Sequence, residues 1–169
     1  MKQFENHLVD PLTGLKNRQF AENYLYNRLT QVQTGAIPPF PLLFFDIDSF
    51  TALIDRYGHV AGDIVLPKVG SLLCRKPHDK DVAIYWGGDR FILVLNSPVQ
   101  GSHLYDVANR LSFLISKATF TVQKQLFQIT VSIGTTLSKP EDSVDTLIYR
   151  AQQLTHVSKR GGGGDIGLG

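Results

Sequence analysis

The chain has 169 residues, 43% hydrophobic and 19% charged, enough for one domain with a real core and too few for two independent ones. With 17 Lys and Arg against 15 Asp and Glu, the net charge is +2; the basic residues do not cluster, so the field that a nucleic acid or an anionic membrane would need is missing. The single cysteine, Cys74, excludes an intrachain disulfide and fits a reducing, cytoplasmic setting, and the longest apolar run, Pro41 to Phe45, is far too short to cross a bilayer.

After a polar lead-in over residues 1–9, Asp10-Pro11-Leu12-Thr13-Gly14-Leu15 reads as a turn, with Asn17 placed to cap a helix. Phe20, Ala21, Tyr24, Leu25, Leu29 and Val32 recur at three- and four-residue steps, which predicts that helix over Arg18 to Val32. Gly35 and the prolines at 38, 39 and 41 end it. Leu42-Leu43-Phe44-Phe45 then reads as a strand buried on both faces, and its end carries two carboxylates in Asp46-Ile47-Asp48.

Ser49 is placed to cap a short helix from Phe50 to Tyr57, closed by Gly58, and a second helix is expected from about Gly62 to Cys74. Pro67 lies inside it and predicts a kink or a restarted turn near Leu66. Val82 to Trp86 and Phe91 to Leu95 read as strands joined by Gly87-Gly88-Asp89-Arg90, a hairpin signal. A loop over Asn96 to Gly101 leads to a helix over Ser102 to Lys117. Strands are expected at Phe120 to Val122 and Phe127 to Thr136, then a last helix over Ser143 to Lys159 and a flexible glycine-rich tail over 161–169. This order of elements indicates an α+β domain with a mainly antiparallel sheet.

Two features converge on one place: the strand that ends in Asp46-Ile47-Asp48 and the glycine hairpin that presents Asp89. Carboxylates at a strand end beside a close-approach turn suit a divalent cation and phosphate. The alternative is structural, with Asp48 serving as a helix cap or dipole partner and Gly-Gly-Asp as a plain turn.

The ordered motifs resemble the GGDEF family, the diguanylate cyclase domains, from Asp10 to about Gly162. Asp10-Pro11-Leu12-Thr13-Gly14-Leu15-Lys16-Asn17-Arg18 is similar to the family's opening D-x-L-T-G-L-x-N-R. Asp46-Ile47-Asp48-Ser49-Phe50, then Tyr57-Gly58-His59 and Gly62-Asp63, resembles its D-[IV]-D-x-F…G-H…G-D segment. Gly87-Gly88-Asp89-Arg90-Phe91 stands at the signature, and Ser132-Ile133-Gly134 matches S-[IV]-G. The resemblance implies a cyclase-like palm, a five-stranded sheet flanked by helices, that condenses two GTP to cyclic di-GMP and pyrophosphate across a pair of domains. It places Asp46, the Ile47 carbonyl and Asp89 on Mg²⁺ or Mn²⁺, with Asp89 also in the catalytic role. Gly87 and Gly88 would admit the nucleotide, the Ser49 and Phe50 N–H groups would cradle phosphates, Asp63 would accept from guanine and Lys159 would meet phosphate.

The departures from the family pattern fall in the same site. The fourth signature residue, an acid in active members, is Arg90 here; two units of charge change at about 5 Å, each worth about 3 kcal/mol at an effective dielectric of about 20 before solvent screening, are enough to lower metal occupancy about a hundredfold. The family's guanine-reading Asn aligns with Ile54, its phosphate-binding Lys with Thr51 and its C-terminal Arg with Gly163. The product-inhibition motif R-x-x-D is His78-Asp79-Lys80-Asp81, whose imidazole cannot make the bidentate contact of a guanidinium. The resemblance with these losses implies a non-catalytic or weakly active domain in cyclic di-GMP signalling that binds GTP or a protein partner, as a homodimer or beside a sensory or phosphodiesterase domain. An active cyclase and a nucleotide-independent scaffold stand as alternatives.

Overall fold

The computed structural model describes residues 6–75, 78–96 and 101–169. A single 3-10 turn, Asn6–Leu8, precedes the predicted turn, where Asp10 Oδ2 accepts from the Thr13 N–H and hydroxyl, both at 2.8 Å. Gly14, at φ +71°, lets the chain double back so that the Lys16 carbonyl accepts from Tyr85 N at 2.8 Å. Helix α1 (Arg18–Gln33) starts as expected, with Asn17 Oδ1 accepting from Phe20 N at 2.9 Å, and buries Ala21, Leu25, Leu29 and Val32.

Strand β1 (Pro41–Ile47) is buried along its whole length at the centre of the sheet. Its neighbours are β3 (Arg90–Val94) and β6 (Val131–Leu137), both antiparallel; β2 (Val82–Gly87) lies outside β3, and β7 (Ile166–Leu168) runs parallel to β6 at the other edge. The period of two divides the core. Leu43, Phe45 and Ile47 pack with α3 (His59–Leu73) and α4 (Gly101–Lys117), together with partly buried residues of α2 (Phe50–Tyr57). Leu42 and Phe44 pack with α1 and with α5 (Val144–Arg160). Gly134 is required in β6 because a side chain there would overlap the Ala151 carbonyl of α5.

Four expectations are corrected. Helix α3 begins at His59 and runs unbroken through Pro67; the carbonyl that Pro67 leaves without a donor is that of Asp63, an exposed residue open to water. Ser49 stands at the N-cap of α2 in the left-handed region, φ +56° and ψ +29°, and its side chain makes no capping bond. The expected strand from Phe127 is split: β4 (Phe120–Val122) and β5 (Gln125–Phe127) form a separate hairpin, turned by Gln123 and Lys124 at positive φ, and β6 starts only at Val131, opposite Ile47. The tail is not simply flexible. Positive φ at Gly162, Gly163 and Gly164 reverses the chain after α5, and Gly167 lets β7 approach the Leu154 carbonyl closely enough to pair with β6. Part of the loop expected over Asn96 to Gly101 lies outside the described residues.

Candidate nucleotide and metal site

The site forms where β1 ends beside the β2–β3 hairpin. Ile47 N donates to the Asp89 carbonyl at 3.0 Å, which pins the hairpin tip to the strand end, and Gly87 (φ +120°) and Gly88 (φ +58°) supply the turn. The tip is fastened again by Tyr85, whose hydroxyl donates to the Gly88 carbonyl at 2.7 Å. The Tyr85 phenol titrates above its ordinary range because it is partly buried and faces the negative charges of Asp10 and Asp89.

This geometry brings the Asp46 and Asp89 carboxylates together. Burial, then the charge of Asp46, then a hydrogen bond that only protonated Asp89 can donate to Asp46 push the Asp89 carboxyl up to about 6. Asp46 is buried, and its Oδ1 has no hydrogen bond of good geometry, although Lys159 Nζ of α5 lies 3.0 Å away. Two facing carboxylates, one with a buried unsatisfied oxygen, fit a hard divalent cation. Among the described residues no group of three or more His, Cys, Asp or Glu could hold a metal. A cation would therefore complete its shell with backbone carbonyl, phosphate and water oxygens, the habit of Mg²⁺.

Asp48 is hydrogen-bonded within the fold, and the N-cap position of α2 belongs to Ser49. The Asp48 carboxylate accepts from Thr130 Oγ1 at 2.5 Å, Ser132 Oγ at 2.6 Å and Gly164 N at 2.8 Å, tying β1 to β6 and to the glycine turn. A positive φ at Ser49 follows at once, and the N–H groups of the first turn of α2 have no intrahelical acceptor.

Phe50, Asp63 and Gly88 line one cavity of about 360 Å³ with Thr51, Ile54 and Tyr85. Ile54 and Phe50 come within 3.3 and 3.4 Å of where a Cβ on Gly62 would stand, so the apolar side of this cavity is closely packed. Ser49 lies outside it, in a neighbouring groove with Asp48, Arg56 and Thr130.

The structure gives Arg90 a direction that the sequence reading did not address. Phe91 is buried in the core on the α3/α4 side, so the alternation of β3 sends the Arg90 side chain to the opposite face, towards α1 and α5. There it lines a groove with Arg18, Trp86 and Tyr149. Its Nε stays 4.0 Å from Asp89 Oδ1 and its side chain is 47% exposed. The guanidinium thus flanks the carboxylate pair from the solvent side.

In the His78–Asp81 stretch, Asp81 is buried and accepts from His78 N at 3.0 Å and Asn96 N at 2.8 Å, so it closes its own turn. His59 is exposed and lines the Asp63 cavity. Neither the Lys159–Asp46 pair nor the role of Asp48 was read from the sequence. The pairing of Asp46 with Ser132 across β1 and β6, recoverable by aligning the two strands, would have placed Asp48 beside Thr130.

The family described as "Diguanylate cyclase, GGDEF domain" matches residues 7–165. The chain is 29% identical over 158 residues to the response regulator PleD of Caulobacter vibrioides, covering 92% of this chain and 34% of that protein. It is 27% identical over 154 residues to the diguanylate cyclase DgcZ of Escherichia coli, covering 91% and 51%. The chain therefore spans about a third to a half of the length of these relatives. Among solved structures, the coiled coil and GGDEF domain of DgcB from Caulobacter crescentus, in complex with c-di-GMP, superposes with a TM-score of 0.89 at 25% identity, covering 99% of this chain and 88% of that one. The GGDEF domain of FimX from Pseudomonas aeruginosa, at 20% identity, has the same fold with a TM-score of 0.83.

Proposed function

The chain belongs to the GGDEF family of diguanylate cyclase domains, and on that premise we propose that it is a guanine-nucleotide-binding domain of cyclic di-GMP signalling with little or no cyclase turnover. The observation that carries this reading is Arg90 at the position of the family's fourth signature acid, with its Nε 4.0 Å from Asp89 Oδ1. A guanidinium, where active members carry a carboxylate, flanks the pair that a catalytic cation would need. The base would enter the cavity with Asp63 accepting from the guanine edge and Ile54 offering no hydrogen bond. The triphosphate would lie towards the start of α2, where free N–H groups and the helix dipole favour an anion.

Asp46 and Asp89, with the Ile47 carbonyl, are the residues that would hold Mg²⁺ or Mn²⁺. When bound, the cation would neutralise charge on the phosphates during attack of a ribose 3′-hydroxyl on an α-phosphorus, with pyrophosphate leaving. That donor set favours a second reading, residual cyclase activity. Two such domains would have to face each other for the condensation, so a homodimer, or a longer protein with a sensory or phosphodiesterase domain on the cytoplasmic side, fits either reading. Among the described residues no helix is long and apolar enough to cross a membrane.

The deciding experiment is a product assay with GTP and Mg²⁺ or Mn²⁺, run beside thermal melting with GTP. Nucleotide-dependent stabilisation without cyclic di-GMP supports the binding domain. Turnover at ordinary rates overturns it in favour of the cyclase, and no shift at saturating GTP leaves a scaffold.

A further inference from the structure

On the face of the sheet opposite the Asp63 cavity, a groove of about 600 Å³ lies between the N-terminal ends of α1 and α5. Two arginines enter it from different elements. Arg18, the first residue of α1, lays its guanidinium 4.4 Å from the centre of the Trp86 ring, and Arg90 reaches it from the start of β3. Alternation along β2 and β3 sets Trp86 and Arg90 on the same side as the paired Ile84 and Ile92. Tyr149, 63% exposed, and Gln152 form the opposite wall on α5, with Asp145 at its head.

Arg18 is in an unfavourable place for the fold alone. A cation at the first position of a helix opposes the macrodipole, and the first turn of α1 holds no acid to offset it. The two contacts that hold Arg18 are an exposed ion pair with Glu22 at 3.1 Å and the stack on Trp86. The guanidinium lies over the indole, and Arg18 lines the groove. Two guanidinium forks beside an exposed aromatic ring and a side-chain amide suit an anion joined to a planar, hydrogen-bonding group, and the volume is that of a small-ligand site.

We propose that this groove is a second ligand site, for a nucleoside phosphate: Arg18 and Arg90 take the phosphates, and the base lies against Tyr149 within reach of Gln152. Arg90 is shared, since the same side chain is 4.0 Å from Asp89 Oδ1. Ligand in the groove and charge at the carboxylate pair are therefore coupled through one guanidinium, and the coupling is reciprocal.

Trp86 is the only tryptophan of the chain, so its fluorescence reports the groove directly. The probe is ADP in the presence of a chelator, because adenine lacks the paired N–H donors that Asp63 would accept. The whole chain should give a saturable change in Trp86 emission. Arg18→Ala and Arg90→Ala should each weaken it by about tenfold or more, with Arg18→Lys intermediate and Asp63→Ala within about twofold of the parent. Circular dichroism and melting establish that each variant is folded.

Absence of a saturable signal at about 10 mM ADP overturns the site. An equal response to pyrophosphate removes the base from the proposal and overturns it as a nucleoside-phosphate site. Loss of the signal in Asp63→Ala assigns the ligand to the first cavity and overturns the second. The reading of the first cavity is tested apart from this, by GTP-dependent stabilisation of Arg18→Ala, which should persist whatever the groove does.

Discussion

Lys159 Nζ and Asp46 Oδ1, 3.0 Å apart, join the last turn of α5 to the end of the central strand. The carboxylate is buried and the lysine side chain 32% exposed, so the pair lies between a surface bridge and an interior one. Lys159→Met should therefore cost about 1–2 kcal/mol, above the surface value and below the 3–5 kcal/mol of breaking a fully buried pair. Urea denaturation without divalent ions measures it. Saturating Mg²⁺ should return part of the loss, because a cation can then serve the orphaned carboxylate. An unchanged midpoint would show that the lysine spends its time in solvent.

Asp89 faces Asp46, and its carboxyl is pushed up to about 6 by burial and by that neighbour. Because the folded value lies above the ordinary 3.8, the folded chain binds the proton more tightly than the unfolded chain. This contribution to stability is present at low pH and is lost as pH rises through about 6. Asp89→Asn cannot ionise. Its melting temperature should match that of the parent near pH 4 and exceed it near pH 7. Mg²⁺ should stabilise the parent near pH 7 and leave the variant unmoved. Parallel melting curves for the two proteins across this range would contradict the close approach of the two carboxylates.

Arg90→Glu tests how far the guanidinium weakens the cation site. From sequence the penalty is about hundredfold. With Arg90 on the α1/α5 face, half exposed and 4.0 Å from Asp89, solvent screening reduces this. The substitution should tighten Mg²⁺ binding about tenfold by isothermal titration. It should not by itself give a competent cyclase, because Ile54 still faces the cavity where the family's Asn would read guanine. The pair Arg90→Glu with Ile54→Asn is the variant in which cyclic di-GMP should accumulate. Full turnover by Arg90→Glu alone would mean that reading the base matters less than charge.

What the sequence makes legible is what a local pattern encodes. The Asn17 cap, the buried run of β1 and the Gly87-Gly88 hairpin were legible because each depends on a few neighbouring residues. The direction of Arg90 was also available: Phe91 belongs in a core, and alternation turns its neighbour outward. Matched to the signature, the same position reads as a ligand slot, which says nothing of its direction. Ser49 in the left-handed region was not legible, since the Asp48 hydrogen bonds beside it reach Thr130, Ser132 and Gly164. The tail misled for a compositional reason. Gly161 to Gly164 looks like a linker, yet those glycines reverse the chain, and Gly167 allows a close strand-to-helix approach that no window of sequence reveals.

The start of α5 carries the last prediction. Asp142 is buried and accepts from Arg150 Nη1 at 2.7 Å and Nη2 at 2.6 Å, from Lys139 N at 2.8 Å and from Thr146 Oγ1 at 3.2 Å. Burial raises its carboxyl, but the Arg150 fork, the Lys139 N–H and the Arg150 charge outweigh it and hold the group below the usual carboxylate range. A depressed folded value stabilises the domain above the unfolded pKa of about 3.9 and is lost as pH falls below it. Arg150→Lys keeps the charge and loses the fork. Its acid unfolding should begin at a higher pH than that of the parent, with little difference near neutrality beyond about 1 kcal/mol for the weaker hydrogen bonds. Circular dichroism during acid titration gives the midpoint, and coincident midpoints would remove Asp142 from the groups that set the acid limit of the fold.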